Sequence, residues 1–142
     1  MGKLVVIGAD ADGKSVVAEV RELEPQTFQG GIRMNELWDT DEQPPAYTGP
    51  RISEGDQYWP VTATPGGTAY RHAVFPPDID VPFHSTDAFQ YIAAVNGSAT
   101  LLLERGSVEV TKGDFVVLQG SMHGWHIGPD GYEEVTTLLG LG

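Results

Sequence analysis

Between Ala88 and Thr111 apolar and polar residues alternate with a period of two, interrupted at Asn96-Gly97 and Arg105-Gly106. Read as two-residue hairpin turns, these dipeptides pair Val95 with Ser98, Ala94 with Ala99, Ile92 with Leu101 and Gln90 with Leu103. They then pair Leu103 with Val108 and Leu101 with Val110. One face so built carries Ile92, Ala94, Ala99, Leu101, Leu103, Val108 and Val110, with Gln90 as its polar group. The opposite face carries Thr100, Glu104, Glu109 and Thr111. The two turns agree on which face is apolar, the consistency that the side-chain period of a sheet demands.

The same reading predicts strands at Thr68–Phe75, Ala88–Val95, Ser98–Glu104, Ser107–Lys112, Phe115–Leu118, Gly124–Ile127 and Glu133–Leu139. Strands separated by turn residues at this spacing point to a sandwich or barrel and away from alternating βαβ units. The pattern predicts one domain over residues 1–142, in three parts. Residues 1–24 form an N-terminal arm of two apolar runs about a polar turn, Ala9 to Lys14. Residues 25–66 are loop-rich in Pro and Gly, with Trp38, Tyr47, Tyr58 and Trp59 to hold them on the core. Residues 67–142 form the barrel.

Composition narrows the function. Eight Lys and Arg stand against twenty Asp and Glu, a formal net charge of −12. Such a chain is a poor partner for nucleic acid or for an anionic membrane surface. The absence of Cys removes disulfides, thiol nucleophiles and Cys-ligated metal from consideration. The longest apolar runs are about five residues, too short to span a bilayer. The four apolar residues Leu4 to Ile7 are too few for a secretory core, so a cytoplasmic location is expected.

Two motifs carry less than their letters suggest. Gly8 to Ser15 fits the phosphate-loop pattern G-x4-G-K-S, yet Asp10 and Asp12 would sit where backbone amides should meet a polyphosphate. A hairpin turn explains the segment better. Asn96-Gly97-Ser98 fits the glycosylation sequon, and a turn explains that as well.

The candidate chemistry lies in the histidines: His72, His84, His123 and His126. His84 lies in Pro82-Phe83-His84-Ser85-Thr86, six residues before Gln90, and His123 lies in Gly120-Ser121-Met122-His123-Gly124-Trp125. This arrangement resembles the cupin superfamily, in particular its small single-domain members. In the first cupin motif Asp78 stands for the leading Gly, His84 matches the first His, Thr86 replaces the second, Gln90 replaces the Glu, and Gly97 matches the closing Gly. In the second motif Gly113, Gly120 and His123 match, while Leu118 stands for the Pro and Ile127 for the Asn.

The resemblance implies an all-β double-stranded β-helix, a jelly-roll barrel. It also implies a site of imidazoles and a carboxylate for Fe, Mn, Ni, Zn or Cu. Here His84, Gln90 and His123 are the candidate metal ligands. With Thr86 and Gln90 in place of His and Glu, the set is depleted in charge and basicity. The family implies chemistry such as oxygenation, decarboxylation, isomerisation or cyclisation. His84 and His123 are candidate catalytic groups, as metal ligands or as general base and acid. Ile92, Leu101, Leu103, Val108, Val110 and Trp125 are expected to wall an apolar pocket for an apolar or aromatic compound. The alternative is a cupin that binds or senses a small molecule without catalysis or a tight metal. His72 and His126 are left open as site members. Tyr91, Ala93 and Val95 are apolar on the face away from the pocket, which predicts a homodimer, with the N-terminal arm of the same chain or of a partner as a candidate cover.

Overall fold

Runs rich in Val, Ile, Leu and aromatic residues, bounded by Gly, Pro, Asp and Asn, form strands over most of the described residues. The computed structural model describes residues 3–12, 14–41, 65–86, 88–120 and 122–141. Its elements are β1 (Lys3–Ala9), β2 (Ser15–Glu22), β3 (Gln26–Thr27), a 3-10 turn at Gln29–Gly31, and β4 (Arg33–Thr40). Then come β5 (Thr68–Phe75), β6 (Asp80–His84), β7 (Ala88–Leu103), β8 (Ser107–Thr111), β9 (Phe115–Gln119) and β10 (His123–Gly140).

The arm is an antiparallel hairpin, β1 with β2. Its turn explains the false phosphate loop. The Asp10 carboxylate accepts hydrogen bonds from the backbone N–H groups of Asp12 and Lys14, each 2.9 Å, so it occupies donors that a phosphate would need. An Arg21 guanidinium N–H reaches the Leu37 carbonyl of β4.

Two long strands organise the barrel. The second half of β10 lies between β5 and the first half of β7, and its first half lies between β6 and the second half of β7. β9 extends one sheet and β8 the other, while β4 and β3 continue beyond β5. The result is two antiparallel sheets closed face to face, an all-β jelly roll. Their inner faces bury Ile92, Ala94, Ala99, Leu101, Val110, Trp125, Ile127 and Tyr132 in one core.

The structure corrects the pairing at Asn96-Gly97. This dipeptide is a corner inside β7, opposite residues 128–131 of β10. Ala99 pairs with Ile127 and Gly97 with Tyr132; Asn96 then pairs with Glu133 and Ala94 with Glu134, which leaves Val95 as a bulge. A bulge shifts the alternation by one residue. Ala94 before the corner and Ala99 after it therefore both point inward, at 4% and 1% exposure. A hairpin turn would have produced the same change of parity, so the buried face was correct although the connection was not. The Arg105-Gly106 turn does form a hairpin, but Leu101 pairs with Val108, two residues from the expected register. A shift of two keeps the faces: Val110 is buried, and Glu109 and Thr111 lie outside with a hydrogen bond from Thr100 Oγ1 to Glu109 Oε1 of 2.6 Å.

Two further expectations change. Gly124–Ile127 and Glu133–Leu139 are parts of one strand, β10. Residues 25–66 are not merely loops, because they contain β4, whose Met34 and Leu37 are buried. Its bulge between Glu36 and Trp38 hides this strand's alternation. Trp38 is partly buried on β4, while Tyr47, Tyr58 and Trp59 lie outside the described residues. No helix among the described residues is long and apolar enough to cross a membrane.

The corner fixes which glycines are indispensable. Gly97 has φ +71°, and a β-carbon there would overlap the Gly131 carbonyl of the facing strand. Gly106 also has positive φ, +98°, but has open space around it. Gly97→Ala is expected to cost at least about 3 kcal/mol, against about 1 kcal/mol for Gly106→Ala. Urea unfolding of the two variants measures the difference; equal costs would show that the corner tolerates a side chain.

Candidate functional site

The inward alternation of the two sheets directs a set of polar side chains into one cavity of about 50 Å³. β4 contributes Met34; β5 contributes Arg71, Ala73 and Phe75; β6 contributes Val81 and His84; β7 contributes Gln90. β10 contributes residues from both of its halves, His123 and Trp125 before the corner, Glu134 and Thr136 after it. The space holds a few water molecules or one functional group, not a whole organic ligand. His84 and Val81 also line a groove of about 460 Å³ on the outside, together with Ile32, Ile79, Pro82 and Phe83.

His84 and His123 lie directly opposite each other on β6 and β10, with ring centroids 4.4 Å apart and ring planes at 57°. His84 Nδ1 is 2.7 Å from the Pro82 carbonyl oxygen. A carbonyl only accepts, so Nδ1 carries the proton and the lone pair of the neutral ring is on Nε2. His123 is 2% exposed and meets Trp125 edge-on. Trp125 in turn stacks on Tyr132 at 5.5 Å.

Thr86 and Gln90 are joined. The Thr86 hydroxyl donates to the Ala88 carbonyl at 3.4 Å and accepts from Gln90 Nε2 at 3.1 Å. The amide's N–H side is thereby fixed toward Thr86. Asp78, in the place of the cupin motif's first Gly, has φ +60°, a left-handed conformation that Asp tolerates better than most residues.

Sequence reasoning missed Arg71 and Glu134. The Arg71 guanidinium binds Glu36 Oε2 through Nε at 3.2 Å and Nη2 at 2.7 Å. Burial pushes the Glu36 carboxyl up, and Arg71 pulls it back. Glu134 is 7% exposed, and burial pushes its carboxyl up to about 7, against the opposing pull of Tyr132 and Arg71. Burial and the neighbouring Glu134 raise the Tyr132 phenol. Arg71 had a legible signal, a charge in step with Ala69, Ala73 and Phe75 on one face of β5. Glu134 had none, because Glu133 stands beside it and only the corner decides which of the two turns inward.

The residues expected to wall an apolar pocket are divided between this cavity, the core and the sheet edge. Trp125 lines the cavity, but Ile92, Leu101, Leu103, Val108 and Val110 do not. Ile92, Leu101 and Val110 are packed in the core, Leu103 packs against it, and Val108 is 50% exposed at the sheet edge. His72 points to the other face of β5. Asn35 Nδ2 donates to its Nδ1 at 2.9 Å, and its Nε2 donates to Glu133 Oε2 at 2.7 Å. His126 lies outside with Asp80, Nδ1 to Oδ1 2.6 Å.

The donors do not fit a tightly held transition metal. Among the described residues no group of three or more His, Cys, Asp and Glu is placed to hold an ion. His84 and His123 are two imidazoles, Thr86 is spent on Ala88, and Gln90 adds a weak amide donor.

No family model matches the sequence, and no curated protein matches it. Solved structures do. The cupin domain of Schizosaccharomyces pombe Cnp3 aligns over 99% of this chain and 88% of its own, with a TM-score of 0.60 at 9% identity. An RmlC-like cupin from Shewanella frigidimarina aligns over 82% of this chain and 83% of its own, with a TM-score of 0.56 at 15% identity. The polyketide cyclase RemF from Streptomyces resistomycificus aligns over 82% and 73%, with a TM-score of 0.56 at 16% identity. The chain has the cupin fold.

The buried Glu134 gives a pH signature. With its folded pKa raised from 4.5 to about 7, the unfolded chain loses this proton before the native state does. Its contribution to stability is complete below pH 4.5 and is lost as pH rises to about 7. Over that window the wild type is expected to lose roughly 2–3 kcal/mol relative to Glu134→Gln. Chemical denaturation of both proteins at several pH values tests this; parallel profiles would show that Glu134 ionises freely in the fold.

Proposed function

We propose that this protein binds a small organic molecule with an apolar or aromatic body and acts on it by general acid–base chemistry. The observation that carries the reading is the connection at His84. The ring borders both the apolar groove, large enough for a ligand body, and the polar cavity, large enough for one head group. The body would lie over Ile79, Pro82 and Phe83, and a carbonyl or hydroxyl would enter the cavity beside His84 and His123. His84 Nε2, left as an acceptor by the Pro82 hydrogen bond, is the base. His123 across from it exchanges the proton. Isomerisation and cyclisation are the reactions that need only such transfers. The likeness in fold to a polyketide cyclase supports that class. Non-catalytic binding is the second reading, favoured by a donor set in which the Thr86 hydroxyl is spent on Ala88 and Gln90 offers only a neutral amide oxygen.

Screening aromatic and polyketide-like ketones by ligand-observed NMR against untagged protein tests the reading. Hits are expected to bind at least tenfold more weakly to Phe83→Asp and His84→Gln, and unchanged to Thr111→Val on the outer face. Turnover that disappears in His84→Gln and His123→Gln supports the enzyme; binding without turnover in any form supports the second reading. Hits indifferent to Phe83 and His84 would overturn both.

A homodimer follows from the outer face of β7 and β9. Tyr91, Val95, Phe115 and Val117 are 46%, 38%, 81% and 60% exposed there. Phe89, Ala93 and Gln119 complete a stretch with no charged residue, in a chain of net charge −12. Two copies of an acidic chain meet with least repulsion at such a surface. Sedimentation equilibrium is expected to give twice the 15.3 kDa chain mass, and Val117→Lys to return it to one. A wild-type monomer at micromolar concentration would rule the dimer out.

A further inference from the structure

Several buried oxygens have no hydrogen-bond partner among the described residues, and two of them fall on one short stretch of β10 that lines the cavity, Glu134 Oε2 and Thr136 Oγ1, with the Tyr132 hydroxyl near enough to act on the Glu134 carboxyl. Glu134 and Thr136, at 7% and 3% exposure, both line the cavity. A buried polar atom left unpaired is costly, so such atoms in native proteins meet water or a ligand. Here they sit on the sheet that faces the one carrying His84, across a space sized for one functional group.

We propose that Glu134 and Thr136 form an oxygen-binding subsite that takes a neutral carbonyl or hydroxyl group of the ligand and rejects a carboxylate or phosphate. The inference rests on the small-molecule reading above and adds the charge class of the ligand. The charges around the cavity make the selection. Arg71 from β5 is the fixed cation in the lining, and Glu36 from β4 already offsets it at 2.7 Å. Glu134 adds a second carboxyl group beside Arg71. At pH 6 an anionic head would meet a guanidinium already neutralised by Glu36, with no second fixed cation among the described residues of the lining, in a chain of net charge −12. A neutral oxygen meets only donors and acceptors.

The protonation state favours the same class. Burial holds the Glu134 carboxyl up to about 7. At pH 6 it is therefore chiefly a carboxylic acid, able to donate to a carbonyl. The groups around it are Arg71 from β5, Tyr132 on its own strand, the neutral Gln90 from the neighbouring β7 and, across the cavity, His84 from β6 and His123 from the first half of β10. A Thr136 hydroxyl alongside supplies a second hydrogen bond to the same oxygen.

Four probes sharing one ring and differing in the head group test the proposal: acetophenone, benzyl alcohol, benzoate and ethylbenzene. Each is titrated by ligand-observed NMR into the full chain at pH 6. Acetophenone and benzyl alcohol are expected to bind at least tenfold more tightly than benzoate or ethylbenzene. That preference should vanish in the Glu134→Leu, Thr136→Val double variant. Glu134→Gln, whose amide still donates, should keep acetophenone within about threefold of wild type. If Glu134→Leu does not fold, Thr136→Val alone, close in shape, should cost about threefold for the oxygenated probes and nothing for ethylbenzene. Benzoate binding as tightly as acetophenone, or a preference that survives the β10 variants, overturns the subsite. If the probes respond to His84→Gln and Phe83→Asp but not to the β10 variants, only the subsite fails. If no probe responds to any of these variants, the small-molecule reading falls as well.

Discussion

The crossing of β7 and β10 at Gly97 and Gly131 is the constraint on which the rest of the barrel depends. A β-carbon on Gly97 would overlap the Gly131 carbonyl, one on Gly131 would press on the Phe75 carbonyl of β5, and both glycines take a left-handed backbone conformation. Each strand changes which face points inward as it passes the corner, through the bulge at Val95 in β7 and the loose segment 128–131 in β10. Because of this, β10 delivers His123 and Trp125 from one half and Glu134 and Thr136 from the other to the same cavity. A straight β10 of unbroken period two would have turned Glu134 toward the side that now holds Glu133. The chemistry of the cavity is thus a consequence of backbone geometry about a few glycines.

The same corner explains what could be read from the chain alone. Period-two alternation identified most strands of the barrel, though not β6, and the buried positions Ile92, Ala94, Ala99, Leu101 and Val110, because burial depends only on parity. It could not separate a hairpin turn from a bulged corner, because Asn-Gly serves both and both change parity. The cupin-like placement of His84 and His123 was legible because the motif's spacing fixes it, and the rings stand 4.4 Å apart. Which inward side chains border open space is a separate matter. Alternation says which side chains point inward, but not which inward volume is filled by neighbours. Leu101 and Val110 meet other core residues, whereas the space near His84 is left open between Arg71, Gln90 and Glu134. Strand β4 was obscured by its own bulge between Glu36 and Trp38.

Burying Arg71, Glu36 and Glu134 together is costly for stability, since two charges removed from water regain little unless well paired. Glu36 accepts both Arg71 contacts on one oxygen, and its other oxygen has no partner among the described residues. Glu134 avoids part of the desolvation cost by holding its proton to about pH 7. Hydrophobic side chains of similar volume would make a more stable barrel end. The arrangement is therefore better understood as a polar surface kept for an occupant than as a device that holds the sheets together.

Size and polarity then divide recognition into two parts. The cavity of about 50 Å³ admits a head group and offers it polar atoms from both sheets, set among Met34, Ala73, Phe75, Val81 and Trp125. The groove of about 460 Å³ offers Ile79, Pro82 and Phe83, which bind by burial and read shape only coarsely. Directional contacts confined to the small space decide which functional group enters and how it is oriented. Apolar contact in the large one supplies affinity for the remainder. His84 stands at the junction with its Nδ1–H held by the Pro82 carbonyl, so the orientation of its free nitrogen is set before any ligand arrives. A group preset at the boundary acts on the atom next to the head group. In a ligand with a carbonyl head, that is the carbon bearing the acidic hydrogen, the place where a neutral imidazole base is useful.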